Sequence, residues 1–150
     1  MSRIFIAFVI SVIVVVHNAS CAETSDSDIQ QKLLLRVGQT QLRLEGRNGS
    51  CHAIASTEHG SAAQYALGIP WPCRFHTNKA GQIRTIQDSG YVYVLVESSK
   101  RTTTTSNDCE THLRSMRAKG TSIEVSQHKD RVATCPPFQW DIVLFKELFN

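Results

Sequence analysis

His52, His59, His76, His112 and His128 are the side chains of this sequence best able to move a proton near neutral pH. Two histidines beside a lysine can cleave a phosphodiester by general acid–base catalysis. His52, His76 and His112 are therefore the candidate catalytic residues of a small histidine-dependent hydrolase, ribonuclease-like or acting on cell wall. Their spacing singles out no pair. Cys73-x-x-His76 and Cys51-His52 have the look of metal ligands. Zinc needs thiolates, however, and oxidation to disulfides would consume them, so no metal and no cofactor is expected. G-x-S-x-G, H-E-x-x-H and the P-loop pattern do not occur. Glu45, Glu58, Asp88, Glu97, Asp108, Glu110, Glu124 and Asp141 could act in pairs on glycosides. Nothing in the sequence pairs them, and most are expected to be solvated. Asp141 reads more simply as a favourable charge in the first turn of a C-terminal helix.

The cysteines carry a firmer message. Cys51, Cys73, Cys109 and Cys135 are even in number and follow an N-terminal segment that resembles an export signal. Arg3 precedes an apolar run from Ile4 to Val16, and Ser20-Cys21-Ala22 supplies small residues for cleavage. The run is shorter than the roughly 20 residues a membrane helix needs. Residues 1–22 are thus expected to be a signal peptide, placing the rest in the periplasm or extracellular space. The alternative end is a lipid anchor at Cys21, although Asn18 stands where a lipobox carries a large aliphatic residue. After cleavage no integral membrane segment is expected. In an oxidising compartment the four cysteines should pair, and the expected pairs are Cys51–Cys73 and Cys109–Cys135.

Composition narrows the partners. Sixteen Lys and Arg stand against thirteen Asp and Glu, for a net charge of +3. The basic residues are scattered rather than gathered in a stripe, so no nucleic-acid partner is expected. Asn48-Gly49-Ser50 is formally a glycosylation acceptor, but an Asn-Gly hairpin turn explains the same residues.

Residues 23–30 are acidic and polar and read as a flexible tether before a single domain at 31–150. Gln41–Glu45 alternates as a half-buried strand does, the Asn48-Gly49 turn follows, and Ser50–Ser56 returns with Cys51, Ala53 and Ala55 on one face. Residues 58–68 show no period and read as a loop or a helical turn or two. Cys73–Thr77 and Gln82–Ile86 form a further hairpin. Tyr91–Val96 is apolar on both faces and should be a central strand covered on both sides. Residues 98–107 are polar and read as an exposed loop. Cys109–Ala118 and Ser122–Ser126 are further strands. Phe138, Ile142, Phe145 and Phe149, broadened by Trp140, Leu144 and Leu148, lie at helical spacing after Pro136-Pro137. The fold class is mainly β (α+β): an antiparallel sheet of about six to eight strands with one C-terminal helix, stapled by disulfides.

Small, rigid, exported and without a catalytic constellation, the chain is expected to be a non-enzymatic binding protein whose partner is another protein. An inhibitor or a toxin-neutralising immunity protein would fit. A structural envelope component is a further alternative. Trp71, Lys100, Arg101 and Trp140 are the candidate contact residues, since Trp and Arg dominate binding hot spots. For both tryptophans the alternative is a core position near the disulfides.

Overall fold

The computed structural model describes residues 33–58, 60, 62–103 and 108–150. The expected signal peptide, the tether and the lipidation site at Cys21 lie outside the described residues. Nine strands and one short helix follow in order: β1 Leu34–Val37, β2 Thr40–Arg47, β3 Ser50–Thr57, β4 Ala62–Pro70, β5 Arg74–Phe75, β6 Thr85–Asp88, β7 Tyr91–Arg101, β8 Cys109–Lys119, β9 Ser122–Val132 and α1 Ile142–Glu147.

The strands form two antiparallel sheets rather than one. The first is a meander in the order β1-β2-β3-β4. The second runs β5-β7-β8-β9, with β6 also paired to β7. β5 pairs with residues 96–97 of β7 and β6 with residues 91–94, so the two short strands share one edge of β7, and the chain leaves that edge between them. The β2–β3 hairpin turns at Asn48 and Gly49, both at positive φ (49° and 75°), the geometry a tight two-residue hairpin demands. β4 occupies the stretch that lacked a period. An edge strand with one face largely open to solvent has no need of strict alternation, and Leu67 and Ile69 alone carry its buried face.

The sheets pack face to face. Leu42, Leu44, Ala53, Leu67 and Ile69 of the first meet Phe75, Val94, Val96, Met116 and Ala118 of the second in one apolar cluster. The opposite face of the second sheet carries Tyr93, Leu95 and Leu113, and these are covered by Trp140, Phe145 and Leu148. Alternate residues of β7 therefore enter two different cores, which is why Tyr91–Val96 is apolar on both sides.

At six residues α1 is far too short to hold itself together in water and depends on docking. Asp141 is its N-cap, accepting a hydrogen bond from the Val143 amide at 3.0 Å. The helix thus begins later than the apolar spacing suggests: Phe138 lies outside it, and Phe138 and Ile142 are exposed while Phe145 and Leu148 are buried. Ser115 Oγ donates to the Phe145 carbonyl at 2.6 Å, the His128 amide donates to the Leu148 carbonyl at 3.1 Å, and Lys146 pairs with Asp88 at 3.1 Å.

Both expected disulfides are present. Cys51 on β3 and Cys73 beside β5 tie the two sheets together, and Cys109 on β8 and Cys135 fasten the start of the C-terminal cap. Two such bonds within one chain are suggestive of an oxidising, exported location. No helix among the described residues is long and apolar enough to cross a membrane.

Closing a loop of 22 residues removes enough unfolded-chain entropy to contribute about 3 kcal/mol. Replacing Cys51 and Cys73 together by alanine is expected to lower stability by about that amount in urea titration, with the second disulfide intact. An unchanged midpoint would show that the inter-sheet bond stabilises nothing.

Candidate functional site

Where the edge of the second sheet meets the C-terminal cap, an ionisable group lies inside the protein. Glu97 continues the inward parity of Tyr93 and Leu95 along β7 and is only 2 % exposed. A buried carboxylate must find donors or lose its charge. Three elements supply them. From β5, Arg74 Nε donates to Glu97 Oε1 at 3.0 Å. From the residue after β5, His76 Nδ1 lies 3.2 Å from Oε2. From the C-terminal segment, Trp140 Nε1 donates to the same oxygen at 3.1 Å.

Burial alone would raise the Glu97 pKa. The hydrogen bonds from His76 and Trp140 and the charge of Arg74 outweigh it, and hold the carboxyl below its ordinary 4.5. An ionised carboxylate only accepts, so Nδ1 of His76 is the donor in this contact. His76 Nε2 is then buried with no hydrogen-bond partner among the described residues. The imidazole is 1 % exposed and meets Phe145 edge-on at 6.0 Å between centroids. Arg84 closes the group from below, donating to the Trp140 carbonyl and lying 5.3 Å over the Phe145 ring.

Outward from Glu97 opens a cleft of about 320 Å³, bordered by Pro72, Arg74, Ser99, Arg101 and Pro136, with the half-cystines Cys73 and Cys109 in its walls. Ser98 Oγ donates to the Pro72 carbonyl at 3.0 Å and so fixes the segment after Trp71 against β7. The Trp71 ring stays 37 % exposed and lies flat on the backbone of Gly46. Its own amide donates to the Gly49 carbonyl at 3.0 Å. Beyond the cleft, residues 98–101, read as loop in the sequence, extend β7, and Lys100 and Arg101 pair in register with Glu110 and Cys109. Thr102 and Thr103 follow the strand, and Thr104 to Asn107 fall outside the described residues.

The candidate residues therefore part company. Trp71, Lys100 and Arg101 are all exposed, but only Arg101 borders the cleft, with Trp71 and Lys100 next along the chain to the lining residues Pro72 and Arg101. Trp140 does not join them at the surface. It is 7 % exposed, because the indole N–H is drawn to Glu97 while the ring covers the sheet. The three candidate histidines are not brought together. His76 is shut in the core, His52 on β3 meets Gln64 at 3.0 Å, and His112 on β8 pairs with Glu110 at 3.2 Å.

Glu97 is the residue sequence reasoning missed when it counted the carboxylates as mostly solvated. The signal was present: it directly follows a strand apolar on both faces, at a position whose parity points into the second core. Its donors could not be read, since Arg74 and Trp140 lie 23 and 43 residues away.

No family model, no curated protein and no solved structure matches this chain.

Because Glu97 is held below its ordinary pKa, its ionised form contributes stability fully above about pH 4.5, and that contribution is lost as pH falls through the lower folded value. Glu97→Gln replaces one of the two acceptor oxygens by a donor, which must then face either Arg74 or the His76 and Trp140 N–H groups. It is expected to cost about 1–3 kcal/mol at neutral pH and to flatten the decline in stability below pH 4.5. Equal pH profiles for both proteins in denaturant titration would refute this role. A Cβ on Gly46 would sit 2.6 Å from Trp71 Cγ. Gly46→Ala should therefore dislodge the ring, costing about 1–3 kcal/mol and shifting tryptophan emission to the red.

Proposed function

We propose that this chain is a non-enzymatic binding protein, exported to the periplasm or extracellular space. In this reading it grips another protein, as an inhibitor or an immunity protein does. The observation that carries the reading is a cleft bordered by Arg74 and Arg101 with a half-cystine of each disulfide in its walls, and exposed Trp71 and Lys100 next along the chain to its lining residues Pro72 and Arg101. Large aromatic and guanidinium groups on a rigid support form contact anchors with little ordering cost. Neither Lys100 nor Arg101 has an ion-pair partner among the described residues, so both charges are free for a partner to meet. The Ile4–Val16 run and the paired cysteines support export.

A histidine-dependent hydrolase gains no support from the geometry. His76 is closed to substrate, and its one carboxylate neighbour is already saturated by donors. His52 and His112 stand on different sheets, each beside a side chain that could orient it but with no second histidine or lysine in its hydrogen-bond network among the described residues.

The test is affinity capture from the exported fraction of the source cells, using the tagged, oxidised protein. Wild type should retain one partner at a fixed stoichiometry. Trp71→Ala combined with Arg101→Glu should lose it, and His52→Ala and His112→Ala should retain it. Turnover of RNA, peptidoglycan or peptides that disappears with His112→Ala would replace this reading by an enzymatic one.

A further inference from the structure

We infer that the cleft beside Glu97 is a carboxylate-binding site, and that the partner presents an acidic peptide segment to it. The inference rests on the partner-binding reading and adds the chemistry of recognition.

Two guanidinium groups face this cleft, and they are held differently. Arg74 commits only its Nε, to Glu97 Oε1. Its terminal nitrogens make no hydrogen bond among the described residues, and its side chain is 39 % exposed. Since Glu97 is buried and fixed by two further donors, it aims Arg74 as well as neutralising it, so the free edge of the fork is oriented before any ligand arrives. The Arg101 side chain has no hydrogen bond, ion pair or ring contact among the described residues, yet it borders the same cleft. A planar fork held open in this way matches the two oxygens of a carboxylate.

The negative charge of Glu97 is balanced by the Arg74 guanidinium, so the pair as a whole presents no net charge to such a ligand. Both Glu97 oxygens are occupied from inside, by Arg74 on one and by His76 and Trp140 on the other. Glu110, opposite Lys100 on the rim, is already engaged by Arg131 at 3.3 Å and His112 at 3.2 Å. The uncompensated positive charge bordering the cleft is therefore that of Arg101, with the unused donors of Arg74 beside it.

Size and surroundings point to a peptide. A cleft of about 320 Å³ lies at the small end of ligand pockets and suits one or two side chains. Pro72 and Pro136 give it apolar edges, and Trp71 beside Pro72 offers a flat surface to the residues flanking an acidic one. A nucleic acid would need a basic track along its backbone, whereas the remaining charges of this chain form local pairs of both signs, such as Arg117 with Glu124 and Lys146 with Asp88.

The probe is a hexaglutamate peptide, with hexaglutamine and inorganic phosphate as comparison arms, titrated calorimetrically into the oxidised full-length protein at low salt. Hexaglutamate should bind, more weakly as salt is raised, and hexaglutamine should not. Arg101→Gln should weaken binding about tenfold or more. Lys79→Gln, an exposed lysine on the distant turn after β5, should leave it unchanged. Arg101 has no partner to lose, so its replacement should fold, and an unaltered melting temperature checks that it does. Three results would overturn the inference: no binding of hexaglutamate, equal losses for Arg101→Gln and Lys79→Gln, or tighter binding of phosphate than of peptide. If hexaglutamate fails while the captured partner still depends on Trp71, this inference falls and the binding reading stands. If no partner is captured but hexaglutamate binds through Arg101, the site stands and its assignment to a protein partner falls.

Discussion

A carboxylate inside a protein is tolerated only where donors surround it, and Glu97 imposes that demand on three separate parts of this chain. Arg74 comes from the first edge segment of the second sheet, His76 from the point where the chain leaves that edge, and Trp140 from the C-terminal cap. Each contact is modest alone. Together they couple the position of the cap to the charge of one residue, because losing any donor leaves a buried anion under-satisfied. Trp140 thus joins a polar anchor to an apolar lid, its N–H on Glu97 and its ring against Tyr93, Leu95 and Phe145.

The disulfides act at a different level. The Cys51–Cys73 bond spans the two sheets and the Cys109–Cys135 bond tethers the cap, so each crosses a boundary between layers that would otherwise rest on packing alone. A small sandwich buries a limited core, and cross-links between its layers restrict the unfolded chain where burial is scarce. Cys73 and Cys109 also stand in the walls of the cleft. The same bonds that hold the layers in place thereby form part of the wall of the opening that Arg74 and Arg101 border. Stability and the proposed recognition site share a cause: the junction of sheet edge, hairpin and cap must be held rigidly to exist at all.

Much of the architecture was legible in local pattern. Alternation marked β2 and β3 and put Cys51, Ala53 and Ala55 on one face, as found. The doubly apolar Tyr91–Val96 run announced a strand covered on both sides, and both its covers are present: the first sheet and the C-terminal helix. What local pattern could not show was the division into two sheets, since the inward face of a strand looks the same whether it meets a helix or another sheet. β4 escaped notice because an edge strand half open to solvent carries no strict period. The helix was placed too early because Phe138 shares its spacing by coincidence, whereas the start is set by Asp141 capping the Val143 amide.

The residues themselves determined the β2–β3 hairpin with its turn at Asn48-Gly49 and the doubly covered strand at Tyr91–Val96, because these depend on neighbours close along the chain, while the even count of cysteines left three pairings from which the fold selects Cys51–Cys73 and Cys109–Cys135. Tertiary structure alone decided that Glu97 is buried, that Trp140 faces inward while Trp71 stays at the surface, and that Arg74 and Arg101 share a cleft. Those outcomes depend on groups brought together across 20 to 60 positions, and a charge does not carry in its own identity the donors that will meet it.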